Sequence, residues 1–186
     1  MACSAKQLFS QGARASLTAA LGKYPAGYDQ VLTEVHQRLQ DKGHATMLDL
    51  AGLVGWKHVQ NAPWMYDLYV LAPGTVERAT AAAFAPGLAD VQRVSALHGI
   101  PGFGAGKAFT SVLLTAWDPE SFGVFDKLAN SVRPKVVVPK CVCVWEDLPT
   151  YFEHLRRLAV ELSAVVGAQW TPRQVEMAMF ILGGGK

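Results

Sequence analysis

The chain has 186 residues, 51% of them hydrophobic and 17% charged, enough for one sizeable core and short for two. A net charge of +2 excludes recognition of nucleic acid by bulk charge, so any such contact has to come from a local patch. No apolar run reaches the roughly 18 residues of a membrane span, and three cysteines are too few for an iron–sulfur centre; the expectation is one cytoplasmic domain, monomeric, with no membrane contact.

In chain order, the first 97 residues read as a string of short helices. In "GYDQVLTEVHQRLQDKG", Val31, Leu32, Val35 and Leu39 recur at helical spacing, with Asp29 as N-cap and Gly43 as the stop. "ATMLDLAGLVGWKH" opens on Thr46, and Pro63 permits a new start at "PWMYDLYVLAP". "GTVERATAAAFAP" and "GLADVQRVSALHG" follow, each closed by proline or glycine. An apolar helix is predicted over 105–116, ended by Asp118-Pro119, and a short one at "FDKLANSV". "KVVVPKCVCVW" is the sole β-branched run, and Pro139 confines it to an edge ribbon or an extended crossing. Cys3, Cys141 and Cys143 read as buried small hydrophobes. Leu148, Phe152, Leu155, Leu158, Leu162 and Val165 then mark a long amphipathic helix. Thr171, Pro172 and Gln174 form a capping-box start for the last one. The fold class is all-α with one short extended or β element.

Residues 100–108, "IPGFGAGKA", set Pro101 and three glycines directly before the apolar helix. Gly102 and Gly104 permit positive φ, and the unpaired N–H groups of the next helical turn carry partial positive charge. Such a turn suits a phosphate and reads no base. The predicted phosphate-binding set is Gly102, Phe103, Gly104, Gly106 and Lys107. A P-loop is excluded, since Pro101 stands where its first glycine belongs and Ala108 follows the lysine. A dinucleotide fingerprint needs a preceding strand, where "VQRVSALHG" is helical. The segment 97–140 is mildly basic, with Lys107, Lys127, Arg133, Lys135 and Lys140 against Asp118, Glu120 and Asp126. His98, beside the turn, either touches a phosphate or caps the preceding helix.

The same stretch matches a helix-hairpin-helix consensus: Ile100, Pro101, Gly102, Gly104 and Ala108 fit, and Phe103 is a bulkier substitute for an aliphatic residue. Asp126, in "DPESFGVFDKLANSV", follows Gly106 by about twenty positions, past Pro119 and Gly123. Over residues 97–133 the chain resembles the helix-hairpin-helix DNA glycosylases, the family of endonuclease III and of the 8-oxoguanine and alkyladenine glycosylases. The resemblance implies a single two-lobed helical domain over 1–186, with its helix-hairpin-helix over about 90–117. It implies double-stranded DNA with a damaged or modified base as partner, no cofactor and no metal.

By the same resemblance, Asp126 stabilises an oxocarbenium-like state or activates a water as the glycosidic bond breaks. The target nucleotide is rotated out of the duplex into a pocket, for which Trp56, Trp64, Tyr66, Trp117 and Phe125 are the candidates. Lys107 is the second catalytic candidate. Gly106 occupies the place of the nucleophilic lysine of bifunctional members, and a one-residue shift on a helix turns a side chain by about 100°. The expected enzyme is therefore monofunctional. Lys127 and Leu128 also depart from the small residue and histidine usual after the aspartate. The same hairpin serves proteins that only hold DNA, so a non-catalytic DNA-binding module is the alternative, and Asp126 is equally suited to N-cap the "KLANSV" helix.

Overall fold

The computed structural model describes residues 9–10, 12–57, 64–103, 107–137 and 147–185, and of Trp64, Met65 and Lys107 the backbone alone. The described residues form α1 (Ala13–Leu21), α2 (Gln30–Lys42), α3 (Met47–Trp56), α4 (Trp64–Tyr69) and α5 (Thr75–Phe84). These are followed by α6 (Asp90–Ala96), α7 (Lys107–Trp117), α8 (Lys127–Val136), α9 (Leu148–Val166) and α10 (Pro172–Leu182). No strand occurs among the described residues, and an isolated antiparallel bridge joins Phe9 to Val137. The chain is all-α, and no helix of the described residues is long and apolar enough to cross a membrane. It divides into two compact units: a terminal unit of Met1–Tyr28 and Pro119–Lys186, and a central unit of Asp29–Asp118.

In the central unit, α2 buries Leu32, Val35 and Leu39 along one face and stops at Gly43, whose backbone is left-handed. Asp29 stands at the N-cap position but makes no side-chain cap bond. Its φ of −90° and ψ of 13° depart from the extended backbone that aims a cap oxygen at the first-turn amides. Thr46 has that extended backbone, and it forms a reciprocal capping box with Asp49 at the start of α3. Arg38 Nε donates to Asp49 Oδ1 at 2.6 Å, tying α2 to α3. Burial pushes the Asp49 carboxyl up, but hydrogen bonds from the Thr46 hydroxyl, Arg38 and the Thr46 N–H, together with the Arg38 charge, hold it below its ordinary 3.8. The last carbonyls of α7 lack intrahelical donors, and α2 supplies them: His36 Nδ1 donates to Ala116 O and Gln40 Nε2 to Trp117 O, both at 2.8 Å.

In the terminal unit α10 packs against α8, α1 and α9. α9 buries Leu148, Tyr151, Phe152, Leu155, Leu158 and Leu162, while Val165, expected on the same stripe, is exposed in the last turn. Thr171, Pro172 and Gln174 open α10 with the anticipated capping box. α8 extends beyond the predicted segment, through Pro134 to Val136, so Lys135 and Val136 are helical rather than extended. The end closes through the Val137 N–H on Arg133 O at 2.9 Å, which tolerates the missing N–H of Pro134 inside the helix. Of the β-branched run, Val137 makes the bridge to Phe9, and residues 138–145, with Pro139, Cys141 and Cys143, lie outside the described residues, as does Cys3.

Candidate functional site

The central unit holds the hairpin between α6 and α7. Ile100-Pro101-Gly102-Phe103 closes a tight turn, with the Phe103 N–H on Ile100 O at 3.0 Å. Proline at the second position and glycine at φ 83° at the third is the pairing that a type II turn demands. Ile100 and Phe103 are buried, Pro101 and Gly102 half-buried, and the Phe103 ring tilts against Phe109 at 6.1 Å. Thr110 Oγ1 donates to Phe103 O at 2.5 Å, fastening the turn to α7. Phe103 therefore departs from its predicted role: its N–H is spent inside the turn and its side chain in the core. Gly104 and Gly106 lie outside the described residues, and Lys107 begins α7. His98 is exposed, and its backbone N–H closes the end of α6 on Ser95 O at 3.1 Å.

The far end of the same motif is also tied. Buried Arg93 of α6 donates to Ala83 O at 2.7 Å and Ala85 O at 2.9 Å, satisfying carbonyls at the end of α5. Its guanidinium lies 4.6 Å from the centre of the Trp117 ring, which stacks on Phe84 at 5.0 Å and 5°.

Asp126 belongs to the terminal unit, where it caps α8. Its backbone is extended, and Oδ1 accepts the Leu128 N–H at 2.7 Å, as the cap reading anticipates. The residue as a whole is half-buried, and its bond to the Leu128 N–H is exposed. The loop leading to it is gripped residue by residue by one face of α9. Arg156 donates to Ser121 O at 3.2 Å, and Phe122 meets Phe152 edge-on at 4.8 Å. Gly123 lies so close that a Cβ there would sit 2.6 Å from Leu155 Cδ1 and 3.0 Å from Pro172 O. Tyr151 donates to Val124 O at 2.6 Å, and its ring meets Phe125 edge-on at 5.2 Å. Burial and then the Glu176 charge push the Tyr151 phenol well above its ordinary 10, Arg173 opposes them, and Asp126 adds a further upward push. Tyr151 is thus a neutral donor. Beneath it, buried Arg173 and Glu176 pair, and Arg173 also donates to Tyr24 Oη at 2.7 Å.

The five aromatic candidates fall into both units. Trp56, Trp64, Tyr66 and Trp117 belong to the central unit and Phe125 to the terminal one. Trp56 is half-buried at the end of α3, Tyr66 is 73% exposed on α4, and Trp117 is engaged by Phe84 and Arg93. Phe125 is the candidate that adjoins Asp126. Among the described residues, no group of three or more His, Cys, Asp or Glu side chains could hold a metal ion.

Sequence reasoning missed Tyr151, the Arg173–Glu176 pair and the close packing of Gly123, which it named only as part of the loop before Asp126. Tyr151 had a readable signal: it lies on the buried stripe of Leu148, Leu155, Leu158 and Leu162, and a phenol on such a stripe requires a hydrogen-bond partner. A scan against protein-family models and searches of curated proteins and of solved structures match nothing.

Proposed function

We propose that this chain excises a damaged or modified base from double-stranded DNA, as a monofunctional glycosylase that carries Asp126 as its reacting carboxylate. The observation that carries the reading is Asp126 itself: half-buried at the start of α8, one oxygen fixed by the Leu128 N–H, on a loop held by α9. A carboxylate so held stabilises positive charge developing on a sugar without first having to reorganise, and it orients or deprotonates the attacking water. The order of hairpin, Pro/Gly loop and aspartate along the chain adds support. The tight turn at Ile100–Phe103 precedes α7, whose first-turn amides and Lys107 serve as the phosphate grip. No lyase step is assigned to Lys107.

The test is a screen of duplexes bearing oxidised, alkylated, deaminated or bulky modified bases, read by strand cleavage after alkali. One class is released by the wild-type chain, and Asp126→Asn lowers that release by about 100-fold or more while binding to a duplex with an abasic-site analogue persists. Unchanged release removes Asp126 from the chemistry; binding without release of any base leaves a DNA-holding module. Lys107→Ala weakens binding and reduces the slope of log affinity against log salt by about one.

A further inference from the structure

We propose that Tyr151 is the positioning residue for the Asp126 carboxylate, acting through the Val124 carbonyl and the Phe125 ring, the last two links of the chain before the aspartate. The inference rests on the reading of Asp126 given above for its catalytic consequence, but its geometric content stands by itself. Asp126 is fixed on its far side by the Leu128 N–H. On its near side Tyr151 touches both residues that lead into it, Val124 by a hydrogen bond and Phe125 by a ring contact.

Tyr151 is buried, so the Val124 carbonyl it serves is shielded from water that could replace the bond. The contacts described for the earlier loop residues act elsewhere. Arg156 and Phe152 act on Ser121 and Phe122, and the seat of Gly123 against Leu155 and Pro172 limits approach rather than rotation at Val124. The phenol stays protonated throughout the working pH range, since burial and the Glu176 charge both oppose its ionisation.

The Leu128 amide gives a readout that needs no substrate. A first-turn N–H has no carbonyl of its own helix to bond, so its protection from hydrogen exchange reports the placement of the Asp126 carboxylate. In the full-length chain Tyr151→Phe speeds Leu128 exchange about 10-fold or more toward the limit set by Asp126→Ala, and replacement by 4-aminophenylalanine, which keeps a donor at the same place, restores protection. Leu162→Ala, a core truncation elsewhere on α9, leaves Leu128 exchange at the wild-type rate apart from global opening.

On whichever duplex the base screen identifies, Tyr151→Phe lowers single-turnover release at saturating enzyme about 10-fold, with affinity for an abasic-site duplex unchanged and rate recovered by 4-aminophenylalanine. Wild-type Leu128 protection in Tyr151→Phe overturns the inference whatever the activity. If Asp126→Asn abolishes release while Tyr151→Phe releases at the wild-type rate, the positioning role fails and the glycosylase reading stands. If Asp126→Asn is fully active, the glycosylase reading fails, and the exchange experiment alone decides whether Tyr151 sets the carboxylate.

Discussion

Acidification should unlock the terminal unit through His154. This imidazole lies buried on α9, 2% exposed, and is held neutral. Burial, then the charges of Arg157 on α9 and Arg133 on α8, lower its pKa from 6.5 to about 4. The unfolded chain takes up the proton as pH falls past 6.5, whereas the folded chain refuses it until about 4. Stability is therefore full above pH 6.5, declines across that window and stops declining from this cause below about 4. The gap between the two values corresponds to about 3 kcal/mol at about 1.4 kcal/mol per pH unit. Urea unfolding followed by resonances of the terminal unit, at pH 7.5 down to 4.5, measures it. His154→Gln should flatten the pH dependence by most of that amount. A direct titration of the imidazole by NMR with a midpoint near 6.5, or a His154→Gln profile parallel to wild type, refutes the reasoning.

Other perturbations follow from contacts already described. Asp49→Ala removes the reciprocal cap of α3 and the partner of Arg38, and should lower the stability of the central unit by about 2–3 kcal/mol in urea unfolding. The stabilisation by this carboxylate is present above pH 3.8 and lost as pH falls below it, since its folded pKa is the lower one. Gly123→Ala forces a Cβ against a backbone carbonyl of α10 and should cost about 1–3 kcal/mol by thermal melting, with faster Leu128 exchange. Glu176→Gln takes the paired charge away from buried Arg173, and a loss of about 3–5 kcal/mol by denaturant unfolding is expected.

What could be read from residue order alone was local. The Thr46 and Thr171 starts depend on side chains reaching amides three residues away, and Asp126 as the cap of α8 depends on two. The buried stripe from Leu148 to Leu162 follows from the helical period. What escaped depends on distant partners. Tyr151 and Val124 are far apart in the chain, and nothing in "GVFD" or "PTYFEH" announces that they meet. Asp29 has the right residue type in the wrong backbone, and Phe103 looked like part of an outward turn until the Thr110 and Ile100 bonds drew both its backbone groups inward. Lys135 and Val136 followed α8 because a proline inside a helix removes one bond without ending the turn that precedes it.

The arms of the helical corner at residues 90–117 are riveted twice, by Thr110 on Phe103 at the bend and by Arg93 against Trp117 at the opposite end. Arms fixed in this way resist being widened or pinched. On the function proposed above, the partner is selected by fit to a shape that the described arms already hold, and substitutions at the rivets will register as faster release rather than slower arrival.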